Sequence, residues 1–334
     1  MKTRNFIGID VSKDTLDICV LYDGREVEEL KIKNTTREIS KHLSQLRKDG
    51  FITSETLFCM EHTGIYNNLL LRFFEKNSCL VWVESAVQIK LSSGMARGKS
   101  DKVDARRIAY YAFKNQHQVK LWSPKREVVE TLQTLLKSRE RLLKVKKQLS
   151  LVIQENKRFV VKTLQKLTEQ INHKPIKEIE KAILKVEKEI NHLIRSDVTI
   201  SKQYALAKSV SGVGPIIAAT MIAKTNEFKN FSQASKFACQ AGVVPFEHSS
   251  GKSVRGKTRV SHMADKSMKA LLHLAAMAVI KKGGEMKQYY DRKVNAGKNK
   301  MSVINAIRNK IVKRIFAVIQ RGTPYQKINN LSLA

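Results

Sequence analysis

The sequence predicts an α/β layered domain over 1–120, a long helical coiled-coil hairpin over 121–200 and a mostly α-helical domain over 201–334. Three observations lead there. Short apolar strands with period-two alternation open the chain and then alternate with helix-period segments, the pattern of a layered α/β domain. From Arg126 to Arg195 the composition shifts to Lys, Glu, Leu and Ile, with apolar residues three and four apart. The last third returns to Ala-rich helical segments interrupted by a small, basic loop.

Phe6 to Leu21 reads as a buried strand, a tight turn at Ser12-Lys13-Asp14-Thr15 and a second strand, on which Leu16, Ile18 and Val20 alternate with Asp17 and Cys19. Glu28 to Lys33 alternates as a third strand, and Asn34-Thr35-Thr36-Arg37-Glu38 supplies the N-cap and acidic first turn of a helix through Leu46. Glu55 to Glu61 is another buried strand ending on a carboxylate. His62-Thr63-Gly64-Ile65-Tyr66 breaks it, a helix runs to Phe74, and Leu80 to Val83 forms a fifth strand. Ser92 to Ser100 is a small-residue basic loop leading into Asp101-Lys102-Val103-Asp104, where Ser100 caps a helix and Asp101 and Asp104 share one face.

In the middle region Leu142, Val145, Leu149, Val152 and Phe159 form an apolar stripe that Asn156 interrupts. The pattern resumes after His173-Lys174-Pro175, which puts Pro175 in the first turn of the second arm. Such an arm suits a spacer or a dimer contact. Further on, Gly212-Val213-Gly214-Pro215 precedes an Ala-rich helix, and a glycine pair between helices lets backbone amides approach phosphates. A helix from Phe231 to Gly242 then leads to the exposed loop Val243 to Arg259. Met268 to Ile280 and Val303 to Ile319 are the last long helices.

Charge narrows the function. Lys and Arg number 62 against 30 Asp and Glu, a net +32, and so one-sided an excess calls for a polyanionic partner. Cys19, Cys59, Cys79 and Cys239 have neither disulfide-framework nor zinc-finger spacing, and buried thiols account for them better. The residues after Met1 contain no long apolar leader and no apolar run approaches membrane-spanning length, so a cytoplasmic protein without membrane partners is expected.

In a chain this short of acids, Asp10 and Glu61 at strand ends and Asp101 and Asp104 at a helix start stand out as a group. Oxygen ligands of this kind suit Mg²⁺ or Mn²⁺ and the handling of a phosphodiester. Taken singly, each has a plain alternative: Asp10 as a turn cap, Asp101 and Asp104 as acids complementing the helix dipole.

Gly8-Ile9-Asp10-Val11-Ser12-Lys13, Met60-Glu61-His62-Thr63-Gly64-Ile65-Tyr66 and Lys99-Ser100-Asp101-Lys102-Val103-Asp104-Ala105-Arg106-Arg107 resemble the three acidic motifs of the insertion-sequence one-ten family, the DEDD transposases. Gly212-Val213-Gly214-Pro215, Ala241-Gly242-Val243-Val244-Pro245 and Ser250-Gly251-Lys252-Ser253-Val254-Arg255-Gly256 resemble its second domain, in the same order. The resemblance implies a RuvC-like (RNase H) fold at the amino-terminal side, with Asp10, Glu61, Asp101 and Asp104 as metal-binding tetrad. It also implies a catalytic serine that falls on Ser250, with Ser249 and Ser253 as neighbouring registers. The implied activity is transposition by cutting and rejoining donor and target DNA, guided by a structured bridge RNA, in dimers or tetramers. Arg97, Lys99, Lys102, Arg106, Gly212, Gly214, Lys252, Arg255, Lys257 and Arg259 are the expected nucleic-acid contacts. A RuvC-like junction nuclease using water as nucleophile is the rival reading; it leaves the basic second half without a task. A purely architectural DNA binder leaves the acids unexplained.

The charge excess makes a direct prediction. Binding to RNA and to DNA should weaken steeply as salt rises, because each neutralised phosphate releases counterions. An affinity that stays flat between low and physiological salt would show that the positive charge serves another purpose.

Overall fold

The computed structural model describes residues 3–92, 101–250, 254–261 and 263–326, with the backbone alone at 101, 247–250 and 254–259. The chain divides into two compact units, Met1–Pro124 and Lys125–Ala334. Among the described residues no helix is long and apolar enough to cross a membrane.

The first unit is built on one five-stranded sheet. β1 (Asn5–Val11), β2 (Thr15–Tyr22) and β3 (Arg25–Lys33) form an antiparallel meander, while β4 (Thr56–Glu61) and β5 (Leu80–Glu84) run parallel to β1, giving the order β3-β2-β1-β4-β5. This is the mixed sheet of an RNase H-like domain. Its first turn closes locally: Ser12 Oγ lies 2.9 Å from the Thr15 carbonyl oxygen, to which it donates, and the Ser12 amide donates to the same oxygen at 3.0 Å.

Helices cover both faces, which is why the central strands read as almost continuous apolar runs. On one face α1 (Thr36–Lys48), capped by Thr35, and α2 (Asn68–Lys76) pack Ile39, Leu43, Leu70 and Phe74 against Ile7, Ile9, Ile18 and Phe58. On the other, α4 (Asp101–Lys114) packs Ala105, Ile108, Ala109 and Ala112 against Phe6, Cys19, Leu57 and Trp82. The short α3 (Ala86–Ser92), which periodicity does not flag, precedes α4. The expected cap, Ser100, lies outside the described residues.

The second unit begins with the helical hairpin, α5 (Glu127–Phe159) and α6 (Lys162–Ser196). Antiparallel pairing is fixed by Arg139 with Glu187 at 2.6 Å, Lys146 with Glu180 at 2.7 Å and Lys157 with Glu169 at 3.3 Å. The reversal falls at Val160-Val161, both extended, and Pro175 sits inside α6 instead of starting it. An internal proline removes one helical hydrogen bond and costs about 3 kcal/mol. Here the orphaned carbonyl belongs to Ile171, which is 63% exposed, so water can replace the lost donor. The true turn is closed by side chains: Asn156 Nδ2 donates to Thr168 Oγ1 at 3.0 Å, and Gln165 Nε2 donates to the carbonyls of Lys157 and Val160. The polar interruption in the stripe is thus a cross-hairpin link. Burial is confined to the end of the hairpin around Val129, Leu132, Ile183, Ile190 and Ile194; Val145, Val152 and Phe159 stay exposed.

Helices α7 (Val198–Ser209), α8 (Pro215–Thr225), α9 (Ala234–Gln240), α10 (Lys266–Lys282), α11 (Glu285–Asn295) and α12 (Lys300–Arg321) complete the unit around Ile307, Ile311, Ile315, Phe316, Leu272 and Met221. The segment read as a basic loop instead forms a two-stranded antiparallel hairpin, β6 (Phe246–Ser250) with β7 (Val254–Arg259). Its Ser, Gly and Lys content masks the β-formers Val254 and Thr258, which alternation alone does not bring out.

Where the helical hairpin meets the globular helices, Arg126 spans two carboxylates. Its guanidinium donates to Asp197 at 2.8 and 2.9 Å and to Glu227 at 2.7 and 3.1 Å. Glu227 is 4% exposed and sits within Asn226-Glu227-Phe228, three successive residues at φ of 50°, 57° and 64°. Left-handed geometry is costly for side-chain-bearing residues, and the buried charge pairing together with Thr225 Oγ1, which accepts from the Phe228 amide at 2.9 Å, holds it.

Hydrogen bonds from Arg126 hold the Asp197 carboxyl below its usual range, so its contribution is present above about pH 4 and is lost as pH falls. Arg126→Gln should cost about 3 kcal/mol at neutral pH, because it takes the guanidinium from both carboxylates and leaves buried Glu227 with the exposed Lys229, whose Nζ lies 3.1 Å away. Denaturant melts at pH 7 and pH 3 should show the gap to the unmodified protein narrowing on acidification.

Candidate functional site

Alternation along β1 sends Ile7, Ile9 and Val11 to the α1 and α2 face, leaving Phe6, Gly8 and Asp10 towards α4. Gly8 lies under the helix: a Cβ there would overlap the backbone of Ala105 and Ala109. The missing side chain at 8 and the methyl side chains at 105 and 109 therefore let α4 settle directly on β1. The same alternation puts Glu61, which ends β4, and Glu84, its directly opposite partner on β5, on this face.

The acids cluster at one edge of that face. Asp10 lies opposite Asp17 in the β1–β2 register, and Asp17, 3% exposed, is compensated by Lys31 Nζ at 3.0 Å. The carboxyl of Glu61 is pushed up, first by burial and then by the charge of Asp104, so the structure brings strand-end and helix acids within electrostatic reach. Asp104 Oδ1 also accepts from Arg107 at 2.8 Å. The side chain of Asp101 lies outside the described residues. Asp10, Glu61 and Asp104 do not close as tightly as the trio Cys19, Glu26 and Glu29, whose ligand atoms lie within 4.8 Å of one another. That trio does not suit a metal: Arg106 occupies both carboxylates, at 2.9 and 3.1 Å, and burial pushes the Cys19 thiol up to about 12.

Two residues that sequence reasoning missed hold the helix in register. Glu84 Oε1 accepts from the Ser85 amide at 2.7 Å, and its Oε2 accepts from Tyr111 Oη at 3.3 Å. Tyr111 lies on α4, stacks against Trp82 with ring centroids 5.1 Å apart, and has its hydroxyl pushed up to about 12 by burial and by Glu84. Glu84 ends an apolar strand as Glu61 does, and that likeness was the available signal.

The remaining expected residues are spread over both units. Arg106 faces Glu26 and Glu29, Lys102 is exposed, and Arg97, Lys99 and Lys252 lie outside the described residues. Gly212, at φ 85°, turns the chain against Ala275 and Val279 of α10, while Gly214 caps α8 with Pro215 in its first turn. The backbone pairs Ser250 with Val254 and Ser249 with Arg255 across the β6–β7 hairpin, which also carries Lys257 and Arg259.

The DEDD-type IS110 transposase model matches residues 7–155, and the transposase model of the IS116/IS110/IS902 family matches residues 204–291. The chain belongs to the IS110 family of transposases. It is 25% identical over 329 residues to a pilin gene-inverting protein of Moraxella bovis, spanning 97% of this chain and 98% of the relative. A probable family 20 transposase of Pseudomonas aeruginosa is 31% identical over 103 residues, 31% of this chain and 29% of that protein. Among solved structures, Thermus thermophilus RuvC in complex with a Holliday junction substrate aligns with 35% of this chain and 99% of its own, at 15% identity and a TM-score of 0.28. As an IS110-family transposase, the protein is a DNA recombinase, and DNA is its partner.

Because α4 rests on β1 through Gly8, Gly8→Ala should lift the helix that carries Asp104. The expected cost is about 1–3 kcal/mol of stability, together with loss of DNA cleavage. Thermal melts paired with a cleavage assay check this, and a variant that melts and cuts as the unmodified protein does would contradict the close-packing account.

Proposed function

We propose that this transposase cuts and rejoins DNA strands at a divalent-metal site formed by Asp10, Glu61, Asp101 and Asp104, with Ser250 as nucleophile and a structured bridge RNA choosing the sites. The observation that carries the reading is α4 lying on the sheet so that Asp104 raises the carboxyl of Glu61 beside the end of β1. Two acids that repel one another in a chain of net +32 form a donor set that a hard cation would relieve, and all four side chains offer only oxygen. Bound there, Mg²⁺ or Mn²⁺ would supply Lewis-acid polarisation of a phosphodiester.

The chain's own groups do the rest. Asp10 and Glu61 are fixed by strand ends and Asp104 by the packed helix, so little reorganisation is needed when the phosphate arrives. Ser250 Oγ attacks phosphorus, the bond to the departing DNA oxygen breaks, the serine proton passes to solvent, and the departing oxygen takes a proton from solvent to leave as a DNA hydroxyl. The resulting ester keeps the bond energy for rejoining, which reverses the step onto a different DNA hydroxyl. Lys252, Arg255, Lys257 and Arg259, close in sequence, offset the phosphate charge, while Arg97 and Lys99 precede the acidic helix and Lys102 lies in its first turn. Exposed Phe159, Leu164, Leu167 and Ile171 on the helical hairpin support assembly into a homo-oligomer.

Asp10→Asn, Glu61→Gln, Asp101→Asn and Asp104→Asn should each abolish metal-dependent cleavage while the protein stays folded. Ser250→Ala should still bind RNA and DNA but lose the covalent protein–DNA adduct trapped on a nicked substrate. An adduct that persists in Ser250→Ala and vanishes in Ser249→Ala or Ser253→Ala would move the nucleophile; normal cleavage by Asp10→Asn in chelator would overturn the metal site.

A further inference from the structure

Directly after Glu61 the chain makes a turn held by side-chain hydrogen bonds from two asparagines. Asn67, 2% exposed, donates from Nδ2 to the Glu61 carbonyl at 2.7 Å, and its Oδ1 accepts from the Thr63 amide at 3.0 Å and from the Thr63 hydroxyl. Asn34 Nδ2 donates to the Ser12 carbonyl at 2.9 Å and to the Tyr66 carbonyl at 3.4 Å. The turn is therefore tied to Glu61 on one side and, on the other, to the turn that follows Asp10. Two carboxamides fix it between the two strand-end acids.

What this braced turn presents is apolar. Ile65 is 68% exposed, Tyr66 42% and Leu69 40%, whereas Leu70, Leu71 and Phe74, which follow them, are buried. Ile65 and Leu69 are one helical turn apart with Tyr66 beside them, so the three make one small patch. Nothing in the core requires them, and a surface turn ordinarily carries polar residues.

We propose that Ile65, Tyr66 and Leu69 form a stacking platform for an unpaired nucleobase next to the phosphate held at the acidic site. The inference rests on the metal-site reading above. A nucleobase suits the patch better than a protein does. A DNA strand whose phosphate reaches Asp10 and Glu61 carries its next base within reach of a turn bonded to both neighbourhoods, and the chain's charge already selects a polyanion. An aromatic ring with aliphatic flanks offers a π-face to any base without reading its sequence, in keeping with a protein that leaves sequence choice to pairing. The bracing by Asn67 and Asn34 means that the platform is in place before the strand arrives.

Single-stranded DNA with every thymine replaced by 5-iodouracil, irradiated with the full-length protein in Ca²⁺, should crosslink to Tyr66, as read by peptide mass spectrometry. Tyr66→Ala and Ile65→Ser should weaken binding of the same DNA about tenfold with the slope against salt unchanged, since stacking releases no counterions, and Tyr66→Phe should restore it. An adduct absent from Tyr66, binding by Tyr66→Ala within twofold of the unmodified protein, or a change in oligomeric state in place of affinity would overturn the platform, the last by assigning the patch to a protein contact. These are binding measurements, so a platform that fails while Asp10→Asn still abolishes cleavage leaves the metal site standing. A Tyr66 adduct in a protein whose Asp10→Asn variant cuts normally would do the reverse.

Discussion

The first unit depends on the contact between Gly8 and the backbone of α4. A sheet and a helix ordinarily stand apart by the size of the side chains between them; here the strand offers none at Gly8, and Ala105 and Ala109 offer a methyl each. That choice sets the height of α4 over the sheet, and its height decides whether Asp104 reaches the edge where β1 and β4 end. Tyr111 and Glu84 then fix the helix along its length. Depth and register come from different residues, so neither can drift without the other resisting. The arrangement is rigid where the proposed chemistry would need fixed charge, and its cost is the half-burial of Glu61 beside a like charge.

Much of this was legible in the sequence because it depends on local pattern. Strands that carry an acid at or next to their last residue after an apolar run, as β4 and β1 do, announce themselves through alternation, and the helix after residue 100 announces its face through the i, i+3 spacing of Asp101 and Asp104. What was not legible depends on partners distant in sequence. Arg106 looks like a phosphate contact until Glu26 and Glu29 of β3 meet it. Pro175 looks like a helix start, since local rules place proline there, and only the side-chain closure between Asn156 and Thr168 moves the turn upstream. Tyr111 carries no local signature and Glu84 only that of an acid ending an apolar strand, so their significance emerges in one another.

The second unit is organised differently. Its core is apolar helix packing, but the root of its helical hairpin is held by charge, with Arg126 at the start of α5 bridging Asp197 at the head of α7 and Glu227 after α8. Three left-handed residues in succession are tolerated there because the buried carboxylate fixes the turn's shape. Hydrophobic contacts alone would let such an arm slide by a helical turn; a forked guanidinium between two carboxylates does not. The distal part of the arm, by contrast, remains largely solvated, with ion pairs between its helices and scattered apolar residues left exposed.

The ribbon that carries Ser250 pairs β6 with β7 and, among the described residues, with no third strand. Two strands alone lie near the limit of what water permits, so such a ribbon draws stability from what packs against it. The edge of a ribbon of this kind is a surface on which a strand from another chain can add. On the reading of Ser250 as nucleophile proposed above, whatever pairs with that edge would bear directly on the attacking hydroxyl.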